Sequence, residues 1–97
     1  MTTAKLSRDN DDLLLEWIVN SPDEHADAIL ANTVTREMLQ KLGAKRAEGV
    51  GGWFKPDCTN TKLSKMLMEH VQKGDHIDVI NIAAMMLVRT KLYGPDA

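Results

Sequence analysis

The chain has 97 residues, of which 12 are basic and 14 acidic, and its formal net charge is −2. This length predicts a single domain, residues 1–97. With 43% hydrophobic and 27% charged residues, the composition is that of an ordinary globular protein and excludes a disordered one. The weak acidity argues against a dedicated nucleic-acid-binding protein, because phosphate contacts need clustered Lys and Arg.

The sequence gives no sign of a membrane or secreted protein. No apolar run approaches the roughly 18 residues that a membrane span requires, and the N-terminus lacks the apolar stretch of a secretory signal. The one cysteine, Cys58, leaves no internal disulfide, which is typical of a reducing compartment. We therefore expect a cytoplasmic protein with no membrane partner.

The N-terminal half predicts three short helices within residues 11–48. The first covers residues 11–20, where apolar side chains recur at helical spacing. The run Ser-Pro-Asp-Glu at 21–24 combines an N-cap, a proline for the first helical position and a capping box, and it predicts the start of the second helix. The run Asn-Thr-Val-Thr at 32–35 predicts a break and the cap of a third helix, which ends near Gly49.

A glycine-rich loop follows at residues 49–59 and contains Trp53 and Phe54, two of only four aromatic residues in the chain. Two adjacent aromatic residues on a loop form either a hydrophobic plug over the helices or an exposed recognition tip. The sequence leaves both interpretations open.

Residues 60–94 predict a helical hairpin. Its first helix, 60–73, has the clearest amphipathic pattern of the chain, and Gly74 is predicted as its left-handed C-cap. Asp75 then caps a second helix, 77–92, that is apolar on nearly every side. Because such a helix must be surrounded, we expect an all-α bundle of about five helices that forms a homodimer or higher oligomer through this hairpin.

The acidic residues raise an alternative hypothesis, that of an enzyme. Carboxylates spaced i, i+3 on facing helices can share Mg²⁺ for pyrophosphate cleavage. The segment 75–82 is similar to the metal-binding helix of MazG-like all-α nucleotide pyrophosphohydrolases. This resemblance implies a Mg²⁺ site formed by Asp23, Glu24, Asp27, Asp75 and Asp78. Helix capping explains the same five acids without a metal, and we favour that interpretation.

Two further hypotheses have weaker patterns. A zinc site would lack the paired spacing of typical zinc ligands; its candidates are Cys58, His70, Asp75 and His76. A helix-turn-helix would read DNA through basic residues that do not line one helix face; these are Arg36, Lys41, Lys45 and Arg46. Neither hypothesis is preferred.

The C-terminal half also resembles a module found in small phage and prophage proteins. The resemblance covers about residues 48–90 and is carried by Gly51–Trp53, Pro56–Cys58, Leu63, Met66, Leu67, Glu69–Val71, Lys73–Asp75, Asp78, Val79, Asn81, Met85 and Met86. It implies a phage or prophage origin and expression in a bacterial cytoplasm. It implies no particular mechanism.

Together these observations predict a non-enzymatic phage or prophage accessory protein that acts by binding. The expected partner is a host or defence protein, or a small ligand at a subunit interface. Trp53 and Phe54 are the predicted loop anchors. A polar pocket is predicted from four further residues: His70, Asp75, Asp78 and Asn81. This hypothesis needs no metal or cofactor, whereas the enzymatic alternative needs Mg²⁺.

Overall fold

The computed structural model describes residues 18–97. This part of the chain is helical and has no strands, which confirms the all-α class. Its elements are a 3₁₀ turn at Ile18–Asn20, then helices α1 (Asp23–Ala47), α2 (Asn60–Lys73) and α3 (His76–Tyr93), and a final 3₁₀ turn at Gly94–Asp96. None of these helices has the length and apolar character needed to cross a membrane.

Helix α1 corrects the prediction of five helices. The predicted second and third helices are one helix of 25 residues, and most of the predicted first helix lies outside the described residues. The run at 32–35 does not break α1, because Asn, Thr and Val each cost the helix only a few tenths of a kcal/mol, roughly, and none is proline. The hydroxyl of Thr35 donates to the Ala31 carbonyl at 2.8 Å, a bond made within the helix. The turn that a helix-turn-helix requires is therefore absent.

The predicted end of α1 is confirmed. Gly49 adopts a left-handed conformation with φ of 85°, and the Val50 amide donates to the Lys45 carbonyl at 2.9 Å, as in a Schellman C-cap. The chain divides within α1, between Arg36 and Glu37, into two compact units. The second unit, residues 37–97, contains the end of α1, the loop and the helical hairpin.

The hairpin of α2 and α3 agrees closely with its predicted bounds. The Thr59 side chain caps α2 by accepting from the Lys62 amide. At the other end Gly74 has φ of 76°, the predicted left-handed cap. The amide of Asp75 then donates to the His70 carbonyl at 3.1 Å. This turn folds the chain back, so that α3 packs along α2.

The apolar core of the second unit lies between α2 and α3. Leu63 and Ile82 are its two buried apolar side chains, with 2% and 4% of their surfaces exposed. Leu87, on another side of α3, is 60% exposed, and Leu92, near the C-terminal end of the helix, is exposed to the same extent. The nearly all-apolar α3 is therefore covered on one side by its own chain and open on another.

Arg89 is fully buried and ties this unit together. Its guanidinium donates over 2.6–3.2 Å to four oxygens: the main-chain oxygens of Trp53, Lys55 and Ala97 and Oδ1 of Asn60. Its charge also lies 4.9 Å from the centre of the Tyr93 ring, a favourable cation–π distance. One side chain of α3 thus joins the aromatic loop, the start of α2 and the C-terminal turn.

Candidate functional site

A cavity of about 580 Å³ lies between the end of α1, the aromatic loop and the hairpin. All of its lining residues belong to the second unit. Its walls are mainly apolar and include Leu42, Val50, Trp53, Phe54, Met66 and Met85. Sites for small molecules typically measure about 300–1,000 Å³ and have apolar walls with a few polar groups. The cavity therefore has the size and lining of a small-molecule site.

Trp53 and Phe54 form one wall of the cavity. Their rings meet edge to face, with centres 5.7 Å apart, and half of the Phe54 surface is exposed. Helix α3 fixes the backbone of this pair, because Arg89 donates to the Trp53 carbonyl and the Tyr93 hydroxyl donates to the Phe54 carbonyl at 2.6 Å. The aromatic pair is thus held as a wall that a ligand can contact.

A cluster of polar side chains lies where α2 turns into α3. The Nδ1 atom of His70 is 3.1 Å from Oδ2 of Asp75 and 3.6 Å from Oδ2 of Asp78. His70 belongs to the last turn of α2 and Asp78 to the first turn of α3. Because the Gly74 turn folds Asp75 back over the end of α2, one imidazole nitrogen faces two carboxylates.

Asp75 does not play the capping role that the sequence suggests. It occupies the N-cap position of α3, but its side chain makes no capping hydrogen bond. The carboxylate instead contacts His70. Capping therefore does not explain this acid, and that interpretation of Asp75 is wrong.

Asn81 lies one turn after Asp78 on α3 and borders the same cavity as His70 and Asp78. Only 4% of its surface is exposed. Its Oδ1 has no hydrogen-bond partner, and among the described residues it is the one buried side-chain oxygen or nitrogen in this condition. An unsatisfied buried oxygen costs about 1–3 kcal/mol. A hydrogen-bond donor or a cation placed beside Asn81 Oδ1 would therefore stabilise this site.

Helix α1 brings basic groups to the cavity that the sequence analysis did not place there. Lys41 lies 3.6 Å from Oδ2 of Asp78, and Lys45 and Arg46 border the cavity. The predicted third helix already contained these residues, and only the folded unit places them beside the hairpin. In the continuous α1, Leu42, Lys45 and Arg46 share one face, because they are three or four residues apart.

The structure brings most of the predicted binding residues together. Five of the six border the cavity: Trp53, Phe54, His70, Asp78 and Asn81. The sixth, Asp75, contacts His70 beside it. Cys58 also borders the cavity, whereas His76 is exposed.

The acids of the Mg²⁺ hypothesis are only partly brought together. In the part of the chain that the structure describes, the group of three side chains placed to share a metal is His70, Asp75 and Asp78, with ligand atoms within 4.8 Å of one another. Asp23, Glu24 and Asp27 are exposed near the start of α1 and do not belong to this group. Nor do the zinc candidates Cys58 and His76.

Comparison with known proteins gives no match, since no family model, no curated protein and no solved structure matches this sequence.

Proposed function

We propose that this chain is a non-enzymatic binding protein that holds a small, largely apolar molecule in the cavity beside Trp53 and Phe54. The cavity carries the proposal, because about 580 Å³ bordered by two aromatic rings, two Met and several aliphatic side chains gives an apolar ligand extensive contact. The resemblance of residues 48–90 to phage and prophage proteins supports an accessory role of this kind.

The polar groups around the cavity favour a ligand with one polar end. Asp78 offers a carboxylate, while Lys45 and Arg46 offer cationic groups from the opposite element. A few polar groups in an apolar site fix the orientation of a ligand more than they add to its affinity. We therefore infer an aromatic or alicyclic molecule that carries a hydroxyl, an amine or an acid.

A substitution that fills the cavity should abolish binding. We expect Leu42→Trp to weaken the binding of the apolar dye 1-anilinonaphthalene-8-sulfonate at least tenfold, because the larger indole occupies the space of the ligand. The measurement is a fluorescence titration of the dye with the folded protein, and the circular dichroism spectrum checks that the variant keeps its helices.

The matched control is Leu39→Trp. Leu39 lies on the same helix, is 63% exposed and does not border the cavity, so this variant should bind the dye as the unmodified chain does. Equal dye affinity in the two variants would refute binding in this cavity.

The Mg²⁺-dependent hydrolase has less support than the binding function. Of the five carboxylates that it would use, Asp75 and Asp78 belong to the polar cluster, and their neighbours there are an imidazole and a lysine ammonium. The apolar walls of the cavity also offer little to a triphosphate.

We also propose that the chain forms a homodimer or a higher oligomer through the exposed apolar side chains near the C-terminal end of α3. Leu87, Val88 and Leu92 lie on neighbouring turns and are 60%, 39% and 60% exposed. Clustered exposed apolar side chains typically mark an interface.

Light scattering of the unmodified protein should give at least twice the chain mass of 10.8 kDa. The double variant Leu87→Glu/Leu92→Glu should give the mass of one chain, and a monomeric unmodified protein would contradict this proposal.

A further inference from the structure

The polar cluster has the geometry of metal ligands. Transition metals bind nitrogen and oxygen ligands at about 2.0–2.2 Å, so two ligands of one tetrahedral ion lie about 3.4 Å apart. The separations of 3.1 Å and 3.6 Å between His70 Nδ1 and the two Asp oxygens lie on either side of this value. Because the ligand atoms of all three side chains lie within 4.8 Å of one another, one ion can contact all three after the carboxylates adjust.

Asn81 gives a second, independent indication of a ligand. Its Oδ1 is buried and has no hydrogen-bond partner within the described chain. Asp78 and Asn81 are three residues apart on α3 and share a helix face, and both border the cavity with His70. A cation beside Asp78 would satisfy this amide oxygen, since amide oxygens coordinate metal ions through their lone pairs.

We propose that His70, Asp75, Asp78 and Asn81 form a binding site for one divalent transition-metal ion. An imidazole nitrogen combined with carboxylate oxygens suits Zn²⁺ and its neighbours in the first transition series, whereas Mg²⁺ prefers oxygen ligands alone. The site goes beyond the proposed binding of an apolar molecule and does not depend on it, because its four ligands come from the last turn of α2, the connecting turn and the first two turns of α3.

Lys41 is the competing cation of this site. Its ammonium lies 3.6 Å from Oδ2 of Asp78, and about a third of its side chain is exposed. A lysine on a flexible aliphatic stem can move into solvent when a metal ion takes its place. A bound metal ion would therefore displace the Lys41 ammonium from Asp78.

The test uses Zn²⁺ as the probe and calorimetry of the full chain without any organic ligand. We expect one equivalent of Zn²⁺ to bind, and His70→Gln and Asp78→Asn to weaken the binding at least tenfold. Lys41→Met should strengthen it several-fold, a result that simple loss of folding cannot produce. Mg²⁺ should bind more weakly than Zn²⁺. In a long-range ¹H–¹⁵N spectrum, the Nδ1 resonance of His70 should shift on Zn²⁺ addition.

Two matched controls separate this site from other zinc ligands. His76→Gln removes an exposed imidazole beside the cluster, and Cys58→Ser removes the thiol that borders the cavity; both should bind Zn²⁺ as the unmodified chain does. Leu42→Trp should also keep Zn²⁺ binding while it loses the dye, so the two proposals fail separately. An unchanged affinity in His70→Gln, or an Nδ1 resonance that does not move, would overturn the metal site.

Discussion

Replacing Arg89 with Met is expected to lower the free energy of unfolding by about 3 kcal/mol or more, since four partly buried hydrogen bonds, each worth about 1 kcal/mol, are lost together. Arg89 is completely buried and donates to four oxygens. Met has a similar length and fills much of the same space but offers no donor. For a domain with a total stability of about 5–15 kcal/mol, this loss is large.

The measurement is urea unfolding followed by circular dichroism, with Lys91→Met as the matched control. Lys91 lies on the same helix and is exposed, so its replacement should change the free energy of unfolding by less than about 0.5 kcal/mol. Arg89→Lys keeps the charge but lacks the planar guanidinium, and one ammonium cannot span the four oxygens. We expect this variant to lose most of the same stability. A loss in Arg89→Met no greater than in Lys91→Met would contradict the buried position of Arg89.

The role of Arg89 also links stability to the cavity. Its bonds to the carbonyls of Trp53 and Lys55 hold the loop that forms the aromatic wall. Its hydrogen-bond partners are three main-chain oxygens and one amide oxygen, and the Tyr93 ring adds a favourable contact with its charge. The aromatic wall of the cavity is therefore held by a residue that does not itself border the cavity.

The sequence predicted those parts of the fold that depend on local signals. The bounds of α2 and the left-handed turn at Gly74 follow from caps and apolar spacing within a few residues. The predicted break at 32–35 is wrong because Asn, Thr and Val are weak helix formers but do not end a helix as proline or glycine can. Without proline or glycine, a run of four such residues costs α1 less than a new pair of helix ends.

The tertiary arrangement of the site was harder to predict. His70 and Asp75 are joined by a turn that the sequence predicts, so their proximity could be predicted from the sequence around Gly74. The contribution of α1 was not, because Lys41 and Asp78 are 37 positions apart in the sequence and meet only in the folded unit. The burial of Arg89 also has a signal in the sequence. It lies seven residues after Ile82, two helical turns along the same face, and a charge on a buried face indicates a satisfied polar network.

Replacing Leu63 with Ala is expected to lower the free energy of unfolding by about 2–5 kcal/mol, the range for Leu→Ala in protein cores. Leu63 is 2% exposed and is one of two buried apolar side chains in the described residues. A core with so few members has little to compensate the loss. Leu63 also borders the cavity, so the vacated volume adds to an existing space that neighbouring side chains do not already fill.

The matched control for Leu63→Ala is Met68→Ala on the same helix. Met68 is 57% exposed, so its truncation removes little buried surface and should cost less than about 1 kcal/mol. Urea unfolding of both variants gives the comparison, and an unchanged denaturant dependence shows that the difference belongs to the folded state. Equal losses in the two variants would mean that the face of α2 carrying Leu63 is not the one packed against α3, and the positions of His70 and Asp78 beside the cavity would then be wrong as well.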